Sequence, residues 1–273
     1  MKKKIALVMA VVVMVVALAG CSSNTAGNGG TKVAETKIEK IQSSGKLVLG
    51  TAADYPPYEF HIEVDGKDQI VGFDIEIAKA IAQELGVELE IVDMKFEGLL
   101  PALVTNDIDI IVAGMVATEE RKESVNFSIP YYTAQQRFVV KKVDADTLKT
   151  PDDFEGLKIG AQKSTIQEGI ALDKFTSSEY IGLSKITDLV LELKNNKING
   201  VILAEPVAKA YVKQNDDLFL AEEILGQEDG VAVAVNKGNE DFVAKIDEIL
   251  QKLMDEGKID KFIADATELA EEE

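Results

Sequence analysis

From Lys46 to Ala266 short β-like runs alternate with amphipathic helical stretches, and this alternation restricts the fold more than any other feature of the chain. KLVLGT (46–51) has strand character and runs into ADYPPYEF, where Pro56 and Pro57 forbid a helix. YEFHIEV and QIVGF face each other across DGKD, with Asp65-Gly66 at the turn of a hairpin. DIEIAKAIAQELG follows; Ile75, Ala78, Ile81, Ala82 and Leu85 share one face, Asp74 is placed to cap the start, and Gly86 ends the helix. VELEIVDM is a strand, GLLPALVTN a short helix, DIDIIVAGM a strand and TEERKESV a further helical turn.

A second set begins near Leu148. LKIGAQ, EYIGLS and GVILAE have strand character, with TIQEGIALDKF and ITDLVLELKNN as helices between them and EPVAKAYVKQ as a helix after the third. GVAVAVN, NEDFVAKIDEILQKLMDEG and IDKFIADA close the body, before an acidic helix end in ELAEEE. The pattern is that of an α/β fold with largely parallel sheets, in two sets. No unit of solenoid length repeats. Propensity leaves open whether the last strand and helices stay with the second set or return to the first.

The N-terminus has different chemistry. Lys2, Lys3 and Lys4 precede an apolar run from Ile5 to Ala19, shorter than the ~20 residues a spanning helix needs and typical of a signal peptide. The run ends in Leu18-Ala19-Gly20-Cys21, which resembles a bacterial lipobox. Small residues at 19 and 20 let the extended backbone enter a peptidase, and the Cys21 thiol would receive the lipid. SSNTAGNGGTKVAET after it lacks periodic apolar residues and has the composition of a flexible tether. Residues 1–20 are thus expected to be cleaved, and 21–37 to hold an extracytoplasmic body at the membrane.

Composition removes other classes. Cys21 is the only cysteine and His61 the only histidine, so an internal disulfide, a cysteine-based zinc site and a multi-histidine metal centre are excluded. A formal net charge of −19 argues against nucleic acid. No EF-hand calcium loop and no glycine-rich phosphate loop is present, and neither a metal nor a cofactor is expected.

Four stretches carry a family resemblance: GTAADYPPYEF, VGFDIEIAKAIAQELG, FEGLLPALVTNDIDIIVAGMVATEERKESVNFSIPYY, and GLKIGAQKSTIQE followed by GVILAEPVAKAYV. Together they resemble the amino-acid type (family 3) of extracellular solute-binding proteins that feed ABC importers, over roughly Lys46 to Phe262. The resemblance implies a periplasmic-binding-protein-like fold: two α/β lobes joined by two hinge strands, with the ligand between them. Lobe one would comprise 38–132 plus 232–273, and lobe two with its hinge segments 133–231. The crossings would fall near Tyr132–Gln136 and Gly226–Val231. It also implies an amino acid or related carboxylate as ligand, separate ABC permease and ATPase subunits as partners, a monomer, and no catalytic residue.

An amino acid must have its charges matched when the lobes close over it, because an unpaired buried charge is prohibitive. The resemblance assigns its carboxylate to backbone N–H groups around Ala113, Gly114 and Val116, to the Arg121 guanidinium, and to the turn carrying Gln162, Thr165, Ile166 and Gln167 in lobe two. Tyr55 and Phe96 would flank the side chain, each able to attract a cation by ~0.5–2 kcal/mol. Three positions depart from the family: Ala52 and Ala204 stand where acids commonly hold the ammonium, and Val116 replaces a hydroxyl residue. Glu205, next to Ala204, is the replacement acid by proximity in sequence, with Asp54 second. An exported dehydratase of the same fold, using an acid such as Glu205, Glu97 or Asp54, and a ligand-sensing module are the alternatives.

Overall fold

The computed structural model describes residues 35–272. The expected signal peptide, the lipobox with Cys21 and most of the tether lie outside them. Thr36 and Lys37, assigned to the tether by composition, belong to folded structure. Thr36 caps the helix Lys37–Ser44 in a reciprocal capping box with Glu39, and Lys37 Nζ lies 2.6 Å from Asp109 Oδ1.

Two main sheets organise the body. The first has the order Glu88–Asp93, Lys46–Thr51, Ile110–Ile111, Ala234–Asn236, Val125–Phe127. Its first three strands are parallel, and Ala234–Asn236 runs antiparallel to both of its neighbours. The second has the order Glu179–Leu183, Lys158–Gln162, Gly200–Ala204, Gln135–Lys141, Leu218–Leu220, with Gly226–Gln227 also pairing with Gln135–Lys141. The two lobes that the resemblance implies are therefore present, and the last strand returns to the first sheet, where propensity alone was silent.

The chain leaves the first sheet after Phe127 and comes back before Ala234. The two crossings run side by side and hydrogen-bond to each other: Tyr131 N–H donates to Val231 O at 3.0 Å, and Val231 N–H to Tyr132 O at 2.9 Å. A paired hinge of this kind fixes the axis of rotation while leaving the lobes free to open.

The helix Phe73–Leu85 buries the expected face, Ile75, Ala78, Ile81, Ala82 and Leu85, together with Phe73 and Ile77. Truncating the fully buried Ile81 to Ala would cost ~2–5 kcal/mol. Asp74 does not cap this helix. The N-cap is Gly72, with no side-chain cap, and the buried Asp74 carboxylate turns inward to accept from the Gly114 N–H at 2.7 Å and the Tyr131 hydroxyl at 2.9 Å. A carboxylate buried so deeply needs fixed donors more than the helix end needs a cap.

A small third sheet, Asp54–Tyr55, Glu59–Val64 and Lys67–Val71, contains the expected hairpin. Asp65 and Gly66 both have positive φ, as its two-residue turn requires. Among the described residues, no helix is long and apolar enough to cross a membrane.

Candidate functional site

Strand ends and helix starts of the two lobes converge on one cavity. It is lined by Ala52, Tyr55, Glu59, Phe96, Ala113, Gly114, Val116 and Arg121 from lobe one, and by Gln162, Thr165, Ile166 and Gln167 from lobe two. Every ligand-contact residue expected from sequence is brought together there except Glu205, and the one acid among the lining residues is Glu59.

Arg121 sits on the six-residue helix Glu119–Ser124, whose first turn is capped by the Thr118 hydroxyl. Its side chain folds back into the cavity, and the residue is 8% exposed. Nη1 donates to Val116 O and Nη2 to Ser164 O, each at 2.8 Å, while the guanidinium lies 5.3 Å from the Phe96 ring centroid. Both acceptors are neutral carbonyls. Burial without a carboxylate partner pulls its pKa down to about 10. The bond to Ser164 crosses from lobe one to lobe two.

The backbone donors divide. Gly114 N–H is committed to Asp74, so it is not available to a ligand. Its φ of 54° and the approach of Tyr55 explain the glycine: a Cβ there would lie 3.0 Å from the Tyr55 ring. Val116 forms a bridge with Val231 in which the flanking residues make the hydrogen bonds, Ala117 N–H to Gly230 O and Ala232 N–H to Met115 O. Its own N–H makes neither of these bonds. In lobe two, Thr165 caps the helix Ile166–Lys174 by accepting from Glu168 N–H, and the helix start lies in the cavity wall.

Glu59 was not singled out from the sequence. It is 1% exposed, and its Oε2 has no hydrogen-bond partner. Burial, then the adjacent Asp74 carboxylate, raise its pKa well above the usual range, while Asp74 itself is pushed up to about 6, chiefly by burial. The signal that could have found it is the pairing of Tyr55 with Glu59, which places both on one face of the small sheet. The strand Asp54–Tyr55 is only two residues long and leaves no pattern to read.

Glu205 needs correcting. It opens the helix Glu205–Gln214 and points away from the cavity into an outer groove shared with Pro57, Tyr132 and Lys209. There it pairs with Lys209 at 2.8 Å and Arg137 at 3.1 Å, and Lys209 lowers its pKa. Asp54 does not line this cavity either; it borders a neighbouring one with Ala52 and Phe96, and its carboxylate accepts from the Ile186 N–H across the lobes. Ser184 donates to Glu97 at 2.5 Å, and Tyr211 to the Asp54 carbonyl at 2.9 Å. With the Arg121–Ser164 bond, these contacts hold the lobes shut. His61 lies at 2.9 Å from Asp68 on the hairpin, outside the cavity.

A family model for bacterial extracellular solute-binding proteins, family 3, matches residues 47–265. The chain is 36% identical over 267 residues to the arginine-binding extracellular protein ArtP of Bacillus subtilis (strain 168), covering 96% of each. Its fold is similar to that of the amino acid ABC transporter substrate-binding protein AbpA from Streptococcus pneumoniae bound to L-arginine. There the TM-score is 0.82 at 42% identity, over 86% of this chain and all of that one. Holo ArgBP from T. maritima is similar with a TM-score of 0.73 at 41% identity, over 79% of this chain and 93% of that one. These relatives are binding proteins, which sets aside the dehydratase reading. The chain belongs to the bacterial extracellular solute-binding proteins, family 3.

Proposed function

We propose that this family 3 binding protein captures L-arginine, or an amino acid with a similarly cationic side chain, and presents it to an ABC permease. The observation that carries the reading is a cavity lined both by the Arg121 guanidinium, hydrogen-bonded only to neutral carbonyls, and by the buried Glu59 carboxyl, whose Oε2 has no hydrogen-bond partner. A ligand bearing a carboxylate and, further along, a cation satisfies both. Its carboxylate would meet Arg121, the Val116 N–H and the start of the helix Ile166–Lys174. Its side-chain cation would meet Glu59, with Tyr55 and Phe96 supplying apolar walls and ring faces. A neutral side chain would leave Glu59 unmatched. The arginine-binding relatives support the same assignment.

Capture proceeds by lobe closure. The ligand first docks on lobe one, and the contacts of lobe two then stabilise the shut form that the permease recognises. Cys21, the sole cysteine at the end of LAGC, would carry the lipid that anchors the monomer to the membrane. A thermal-shift screen of the purified protein against arginine, lysine, histidine, cystine and neutral amino acids tests the ligand class, because a ligand raises the melting temperature by mass action. Stabilisation by arginine is expected; stabilisation by neutral amino acids alone would overturn the reading.

A further inference from the structure

A run of buried polar side chains joins the hinge to the ligand cavity. Glu228 lies on the return crossing, Gln136 on the outgoing strand Gln135–Lys141, and Gln167 on the first turn of Ile166–Lys174. They are 8%, 1% and 6% exposed. Glu228 Oε1 accepts from the Ala134 N–H at 2.9 Å, and its Oε2 from Gln136 Nε2 at 2.8 Å. Gln136 Oε1 accepts from Gln167 Nε2 at 2.7 Å, and that same nitrogen lies 3.2 Å from the Tyr55 hydroxyl.

The direction of the run is dictated from its hinge end. An ionised carboxylate has only acceptors, so Gln136 must turn its NH2 group to Glu228 and its oxygen to Gln167. Gln167 must in turn offer its NH2 group, whose two hydrogens go to Gln136 and Tyr55. Only its oxygen remains for the cavity that it lines. Ala204 stands directly opposite Gln136 in the strand ladder. The family resemblance calls for an acid that holds the ligand ammonium at this position, and the Ala204 methyl group cannot supply one.

We propose that Glu228, acting through Gln136, holds the Gln167 amide with its oxygen toward the cavity, so that Gln167 accepts the ligand's α-ammonium in place of the acid missing at Ala204. The proposal rests on the reading of the site as an amino-acid binder. Glu228 touches no ligand and is a positioning residue. When position 228 can donate, through a protonated carboxyl or an amide, Gln136 turns over and Gln167 presents N–H groups to the cavity, which oppose an ammonium. Burial pushes the Glu228 pKa up to about 7 against its two hydrogen bonds. The ionisable groups facing it are the phenols of Tyr55, Tyr58 and Tyr132, none of which is charged near neutral pH.

The test is titration calorimetry of the purified protein with L-arginine and with 5-guanidinopentanoate, the same molecule without its ammonium. In Glu228→Gln, arginine is expected to weaken by about tenfold or more, while the analogue stays within about twofold. In the wild type the preference for arginine over the analogue should narrow from about pH 8 to about pH 6, and in the variant it should be flat. Equal losses for both ligands, or no loss, would overturn the proposal. Should Glu228→Gln fail to melt cooperatively, Gln136→Leu severs the relay and should show the same selective loss; an unselective loss or none overturns it. Wild-type protein that binds neither ligand would instead overturn the amino-acid reading and this proposal with it.

Discussion

Asp54 on lobe one accepts the backbone N–H of Ile186 on lobe two at 2.6 Å. The helix Ile186–Lys194 has Lys185 at its N-cap position and no side-chain cap of its own. Asp54 therefore caps it from across the cleft, and that cap exists only while the lobes are shut. An N-cap contributes ~0.5–2 kcal/mol. Asp54→Ala is expected to weaken arginine binding by roughly two- to thirtyfold and to enlarge the liganded protein in solution scattering. Affinity and dimensions equal to wild type would show that the contact contributes nothing to closure.

Arg121 predicts a separation of binding from stability. Its charge is buried against carbonyls and forms no ion pair among the described residues, so the apo fold gains little from it. Arg121→Met is expected to weaken arginine binding by at least about a hundredfold, since hydrogen bonds to charged groups contribute ~1.5–3 kcal/mol each. The apo melting temperature should change by only a few degrees, roughly. Retained affinity would remove the clamp from the site.

Stability should fall as pH rises. Asp54 and Asp74 are pushed up to about 6 and Glu228 to about 7, all chiefly by burial, and burial also raises Glu59 well above the usual carboxylate range. The native state thus keeps protons that the unfolded chain gives up near pH ~4. That contribution is complete below about pH 4 and is lost as pH climbs through about 6 to 7. The apo melting temperature is expected to drop between about pH 5 and 8, and the shift produced by arginine to grow over the same range, as its cation offsets an ionising Glu59. A flat or rising apo profile would contradict the assignment of these acids.

The same coupling predicts proton release. Arginine binding should drive a proton from Glu59, so the calorimetric enthalpy should vary with the ionisation enthalpy of the buffer. Identical enthalpies in phosphate and Tris would mean that Glu59 does not ionise.

Membrane attachment is separable from all of this. Cys21→Ser is expected to move the protein from the membrane fraction to the soluble extracytoplasmic fraction with its arginine affinity intact. A variant still held at the membrane would remove Cys21 as the anchor.

Much of the framework was legible because it is written in local patterns. Alternation located the strands, and Gly86 marked a helix end as its backbone chemistry requires. Most of the cavity lining was reached through the family motifs. What was not legible depends on contacts between distant segments. Glu205 is adjacent to Ala204 in sequence, but one ends a strand and the other begins a helix, so their side chains diverge. Asp74 looks like a cap until Gly114 and Tyr131 are brought to it. Glu59 acquires its meaning only from Tyr55 beside it and Asp74 beneath it.

The central claim is that one cavity matches a carboxylate at Arg121 and a side-chain cation at Glu59. Titration calorimetry of the purified protein with L-arginine and L-citrulline tests it most directly, because the two have the same shape and differ in that charge. Arginine is expected to bind at least about fiftyfold more tightly, since a neutral urea group leaves the buried Glu59 without its counter-charge. Equal affinities for the two ligands, or heat from citrulline alone, would contradict the account.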